Sequence, residues 1–191
     1  MYLKLWGEAN LYELLSHVDG ELAEQAKQSG CECKGPLHRA NYRRKPRAVI
    51  ALLPTDYEKR FSFCCGWCRQ RVTPRSVRFL GRKIFLGVVV TLASVLRYGP
   101  TPRRVSVLQE ALDVSPDTLR RWRRWWQQNF AQSRFWQQAR ARVLPPLQPN
   151  QLPHGLLARF GDKADLEQIV ALLRFVSPLS SNTWRRAAGA A

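Results

Sequence analysis

Five cysteines occur at two places in the chain, Cys31 with Cys33 and the run Cys64-Cys65-Gly66-Trp67-Cys68. Tetrahedral zinc takes four thiolate or imidazole ligands, and structural sites usually draw them as two close pairs from separate turns. Cys31, Cys33, Cys65 and Cys68 supply two such pairs. The two-residue spacing of Cys65 and Cys68 lets both sulfurs face one turn, and Gly66 can take the positive φ such turns often need. The first pair is one residue tighter, so Cys64 stands as an alternate for Cys65, and His38 as an alternate for Cys31. Four protein ligands leave no position for water, so the expected Zn2+ is structural, and its binding supplies much of the folding free energy of so small a unit. Buried thiols or a redox pair without metal are the plainer alternative.

The second set of residues with chemistry is cationic. The net charge of +17 is concentrated between Arg39 and Arg142, where 23 Lys and Arg face 5 acids; the two ends together carry 8 basic and 9 acidic residues. Clustered charge of this kind attracts polyanions, with nucleic acid first and an anionic membrane second, against the bland alternative of a soluble basic surface. Within it, Ser115-Pro116-Asp117 reads as a helix start: Ser is a good N-cap, Pro fits the first helical position, and Asp suits the positive end of the dipole. Leu119, Trp122 and Trp126 share one face of this helix. Arg120, Arg121, Arg124, Gln127 and Gln128 lie on the opposite side, about 80° to 200° round the axis at about 100° per residue. Residues 102–112, with Val105, Leu108, Ala111 and Leu112 as an inner stripe, read as a preceding helix, and Asp113-Val114 as the turn. In a helix-turn-helix the second helix enters the major groove, where Arg and Gln read base edges and hold phosphates. Arg75, Arg78, Arg103, Arg104, Arg120, Arg121, Arg124 and Gln127 are the candidate nucleic-acid contacts. The tryptophans read as core, with Trp125 on neither face.

Cys33 followed by Gly35-Pro36-Leu37-His38, then Phe61-Ser62-Phe63-Cys64-Cys65 and Arg71-Val72-Thr73-Pro74, resembles the zinc ribbons at the front of bacterial insertion-sequence transposases and their accessory proteins. The run from Val114 through Ser115-Pro116-Asp117-Thr118-Leu119-Arg120-Arg121 to Trp122 is similar to their helix-turn-helix element. The resemblance covers roughly residues 31–130 and implies recognition of element or target DNA. Such transposases carry three carboxylates on an RNase-H-like domain. Beyond the helix-turn-helix this chain has only Asp162, Asp165 and Glu167, in a stretch too short for that domain. The expectation is an accessory protein that is not an enzyme.

These residues need elements to position them. Residues 8–28 carry apolar positions at helical spacing, as one or two helices broken near Asp19-Gly20, with Gly30 as a stop. Residues 31–74 have the short apolar stretches and turns of a small β-rich metal unit. Residues 84–96 form the longest apolar run, too short for a membrane-spanning helix of about 20 residues, and read as a buried core helix. Residues 116–142 read as helical with a break near 130–134. The prolines at 145, 146, 149 and 153 make a linker or extended arm, and residues 165–176 a last amphipathic helix.

The expected fold is mainly α with a small zinc-bound β-ribbon and a helix-turn-helix. Its segments are an N-terminal helical part (1–30), a zinc-ribbon unit (31–80), a DNA-binding unit (81–142), and a proline-rich arm with the C-terminal helix (143–191). Acids interleaved through the first 30 residues fit no secretory signal, so a cytoplasmic protein is expected, with no membrane association. Double-stranded DNA is the expected partner, with a recombinase as protein partner. One alternative is a transcription regulator of the same architecture. Another is an RNA-binding or ribonucleoprotein-assembly factor using Trp122, Trp125, Trp126 and Trp136 as stacking surfaces. A catalytic zinc would need an open coordination position beside an acid, for which Glu32 is the nearby candidate.

Overall fold

The structure, a computed structural model, describes residues 9–44, 56–79, 90–91, 106, 115–161 and 165–181. It is mainly helical with a small sheet and gathers into two compact units. One holds the described residues of 9–79 together with 173–181; the other holds 90–91, 106, 115–161 and 165–172. The preceding helix of the expected helix-turn-helix lies outside the described residues, apart from helical Ser106. Of the apolar run 84–96, Val90 and Thr91 are described, and both are helical and buried. No described helix is long and apolar enough to cross a membrane.

The first unit is built on helix α1, Ala9–Ser29. Leu11, Tyr12, Leu15, Val18, Asp19 and Ala23 are its buried face. The expected break at Asp19-Gly20 does not occur. An internal glycine costs a helix only about 1 kcal/mol, and here tertiary contacts outweigh it: the Asp19 carboxylate accepts from Ser76 Oγ at 2.5 Å, the Val77 amide at 2.7 Å and Arg78 Nε at 2.8 Å. The helix ends where Gly30 turns left-handed, at φ +74°, and its amide reaches back to the Lys27 carbonyl.

Beside α1 lies a three-stranded antiparallel sheet in the order β1–β4–β5, where β1 is Leu37–Arg39, β4 is Phe63–Cys65 and β5 is Arg71–Val72. The register places His38 opposite Cys64 and Cys64 opposite Arg71. A separate two-stranded ladder joins β2, Tyr42–Arg43, to β3, Lys59–Arg60. Between helix and sheet sits a buried polar knot. Arg78 and Asp19, 2% and 0% exposed, form an ion pair, and the same guanidinium donates to the Tyr57 and Lys59 carbonyls. Arg60, also buried, donates to the Pro74 and Ser180 carbonyls. The guanidinium groups of Arg44, Arg60 and Arg78 lie 5.4, 6.0 and 5.3 Å from the Phe79 ring centre.

In the second unit, α2, Pro116–Arg124, is capped by Ser115, whose Oγ accepts the Thr118 amide at 3.3 Å. It runs into a π-helical turn, Trp125–Phe130. The wider turn lets residues four apart lie more nearly in line, so Trp122, Trp126 and Phe130 all point inward. Phe130 packs between Trp126 and the Trp136 ring of α3, Arg134–Ala139, with ring centres 4.9 and 5.2 Å away. The break expected near 130–134 falls at 131–133, where Ser133 donates to the Phe130 carbonyl and caps α3.

The proline-rich segment is not an extended arm. Leu152 and Pro153 are buried, Asn150 accepts from Gln127, and Arg159 donates to the Pro145 carbonyl. Proline removes helix donors but not apolar area, and burial of Leu152 and Pro153 folds the segment back on the unit. It leads through α4, His154–Leu157, to α5, Asp165–Val176.

Candidate metal centre and basic helix

Two cysteine turns meet at one end of the three-stranded sheet. The first precedes β1 and carries Cys31 and Cys33; the second connects β4 to β5 and carries Cys65 and Cys68. Each turn closes the same way. The residue after the second cysteine, Lys34 in one and Arg69 in the other, is left-handed at φ 60° and 58°. Its amide returns to the carbonyl of the first cysteine, Lys34 to Cys31 at 2.7 Å and Arg69 to Cys65 at 3.1 Å. The turns are held together by the Gly66 amide donating to Pro36. Gly35 makes the close approach possible, because a Cβ there would stand 2.6 Å from Cys65 Sγ and 3.0 Å from Trp67 Cβ.

The four sulfurs of Cys31, Cys33, Cys65 and Cys68 lie within 4.8 Å of one another. Across the turns, Cys31 is 3.5 Å from Cys68 and Cys33 is 3.4 Å from Cys65. Zinc–sulfur bonds of about 2.3 Å in a tetrahedron put sulfurs about 3.8 Å apart, so small shifts of the sulfurs would seat an ion. The residues fit a metal ion such as zinc.

The alternates fall outside this cage for geometric reasons. Side chains alternate along a strand, so on β4 the Cys65 sulfur turns to the cage while that of Cys64 turns away. Cys64 Sγ lies 3.8 Å from the Cys65 carbonyl and 3.6 Å from that of Arg69. His38 lies opposite Cys64 in the register, and its ring sits against Gly66 rather than among the sulfurs.

Protonation in the cage is uneven. The Cys68 amide, aided by that of Trp67 against desolvation, lowers the Cys65 thiol to about 6. The Gln70 amide favours a thiolate at Cys68, but the surrounding sulfurs and burial outweigh it and push that thiol up to about 12. Cys31 is raised as well, despite the Cys33 amide. One sulfur in the cage takes a negative charge readily and its neighbours then resist a second. Four thiolates at this separation need a cation between them.

The basic residues divide into distinct groups. Arg120, Arg121 and Arg124 are exposed on α2, and Arg123, which helical phase did not single out, is exposed beside them. Thr118, Leu119 and Trp122 form the buried face. Arg120 pairs with Asp117, and Arg121 donates to Thr118 Oγ1 at 2.9 Å, so the guanidinium groups of these two cations rest on the first turn. Gln127 is half-buried in the π turn, with its amide on the Asn150 carbonyl, and so does not extend the basic row. Arg75 is exposed, whereas Arg78 is an internal residue: its guanidinium is spent on Asp19, Tyr57 and Lys59 and has no open side for a phosphate. Arg103 and Arg104 lie outside the described residues. Trp122, Trp126 and Trp136 are core and offer no stacking face.

The most exposed aromatic among the described residues is instead Trp67, between the two cysteines of the second turn, with Tyr42 less so. Sequence reasoning did not single it out; its position between Cys65 and Cys68 is the signal that could have found it. Comparison with family models, with curated proteins and with solved structures finds no match to this chain.

Proposed function

We infer that this is a zinc-stabilised DNA-binding protein whose helix α2 contacts the duplex, acting as an accessory or targeting component of a mobile genetic element. The observation that carries the reading is α2 itself: a capped helix with Thr118, Leu119 and Trp122 buried and Arg120, Arg121, Arg123 and Arg124 in the open. A cationic helix face of this width suits a groove walled by phosphates, with Arg able to reach guanine edges. Zinc in the four-cysteine cage would be structural. All four positions are taken by sulfur, and the ion would tie α1, through its Gly30 exit, to the sheet. The mobile-element assignment rests on the motif resemblance around Cys33, Cys65 and Ser115. In this reading the chain supplies recognition and a separate recombinase supplies the chemistry.

The test is competition binding at one salt concentration, with zinc-loaded protein and duplex DNA, single-stranded DNA and structured RNA, beside the variant Arg120→Ala/Arg121→Ala/Arg124→Ala. The reading expects the duplex to compete best and the variant to lose that preference. Preferential binding of structured RNA, unaltered in the variant, would contradict it.

A further inference from the structure

The cage leaves one large aromatic side chain unprotected. Trp67 is 70% exposed, and an indole left in water forgoes most of the free energy its burial would supply. Its mount is rigid. Both flanking positions of the turn are cage cysteines, the Cys65 amide is fixed on the Gln70 carbonyl, and the Trp67 Cβ and Cγ sit against Gly35. A side chain held this firmly loses little entropy when a flat partner settles on it.

The surroundings define that partner. Lys34 and Arg69, the left-handed residues that close the two turns, are both exposed, and among the described residues neither makes an ion pair. Lys34 adjoins Gly35, against which Trp67 packs, and Arg69 follows Cys68. Arg71 stands beyond on β5, braced by the Ala40 carbonyl and Ser62 Oγ. Glu32 is the only acid in residues 31–44 and 59–75. An apolar protein partner would want a continuous apolar patch, but the exposed residues next to Trp67 are Lys34, Pro36, Cys68 and Arg69. An aromatic plane between cations suits a base stacked on the ring with its phosphates on the cations, and a base within a duplex has no free face to offer.

We propose that Trp67 is the stacking platform for an unpaired nucleobase of single-stranded nucleic acid, with Lys34 and Arg69 taking the adjoining phosphates. The inference rests on the nucleic-acid reading above and adds a strand state that α2 does not serve. A zinc tetrathiolate is itself anionic, so Lys34 and Arg69 could also serve only to offset it, and the salt arm of the test separates these uses.

The experiment uses the zinc-loaded full chain with a single-stranded oligothymidylate and a blunt duplex, comparing wild type with Trp67→Ala, Trp67→Phe, Trp67→Leu and Lys34→Gln/Arg69→Gln. Zinc content is measured on each, and a Trp67→Ala protein that lost zinc would leave the Phe and Leu pair as the comparison. Trp67→Ala and Trp67→Leu are expected to weaken single-strand binding by about tenfold with duplex affinity unchanged, while Trp67→Phe keeps most of it. The double glutamine variant is expected to lower the salt slope for single strands by about 1.4. Equal single-strand affinity in wild type, Trp67→Leu and Trp67→Phe would overturn the proposal. So would loss of an oligomer on Trp67→Leu with single-strand affinity intact, which would make Trp67 a contact between copies of the chain. A salt slope unchanged in the double variant, with zinc affinity reduced, would overturn the phosphate role of the two cations. The α2 reading has its own readout in the duplex arm with the three α2 arginines changed to alanine, so either can fail alone; no binding of any nucleic acid would remove both.

Discussion

Gly35 is the residue on which the geometry of the cysteine cage most depends. A methyl group there would meet Cys65 Sγ at 2.6 Å, well inside contact distance, so Gly35→Ala must displace a ligand sulfur or open the turn. The expected result is a fall in zinc affinity of about tenfold or more, measured by competition with a chromogenic chelator. Cys64 and Cys65 are expected to behave oppositely: Cys64→Ser keeps one zinc per chain and Cys65→Ser does not. In the zinc-loaded protein a thiol reagent should find one reactive cysteine of the five, Cys64. The pH response follows from the Cys65 thiol at about 6, below its ordinary value of 9.0. A group whose folded pKa is depressed favours the folded cage above its unfolded value and loses that contribution as pH falls through the folded one. The metal-free cage is therefore expected to lose this contribution as pH falls through about 6, and zinc affinity is expected to fall steadily on acidification as protons compete for the four thiolates, followed with a zinc-sensitive dye. Cysteine spacing made both pairs legible. The choice between Cys64 and Cys65 was not, because it turns on the strand parity of β4, and that is fixed by pairing with β1 and β5. Arg78 was illegible for a related reason: one arginine in a basic run looks like the next, and its carboxylate partner lies 59 positions away.

Among the elements, α1 and α2 carry the sharpest consequences. The Asp19–Arg78 pair is fully enclosed, and removing one member of such a pair typically costs about 3 to 5 kcal/mol. Asp19→Ala should therefore lower the denaturation midpoint of the first unit strongly, whereas Arg174→Ala, which removes only the exposed pair with Glu21, should change it by less than about 1 kcal/mol. Chemical denaturation followed by circular dichroism checks both. At the start of α2, Ser115→Ala removes the acceptor for the Thr118 amide and should cost about 1 kcal/mol in the same measurement. Cap chemistry and apolar period are local, which is why the start of α2 and both bounds of α5 could be read from the chain. The continuity of α1 through Gly20 is a tertiary effect, set by the hydrogen bonds that hold Asp19. The π turn at Trp125–Phe130 likewise answers to the packing of Phe130 against Trp126 and Trp136, and the folded proline segment to the burial of Leu152.

For the molecule as a whole, a net charge of +17 is its main long-range property, and the described cations serve it unequally. Arg60 and Arg78 are internal, Arg39, Arg43 and Lys59 pair with Glu24, Glu58 and Asp56, and the exposed row on α2, in which Arg120 pairs with Asp117, stands over an apolar face. Composition gives the sum of the charge without distinguishing cations that hold the fold from cations that face solvent. That sorting required the positions of their partners. If α2 grips duplex DNA as proposed, the slope of log affinity against log salt for a duplex must differ between wild type and Arg120→Ala/Arg121→Ala/Arg124→Ala. Every phosphate that the protein no longer neutralises lowers the slope by about 0.9. The expected slope is smaller by up to about 2.7 in the variant, with weaker binding at every salt concentration. An unchanged slope and affinity would mean that α2 does not touch the duplex.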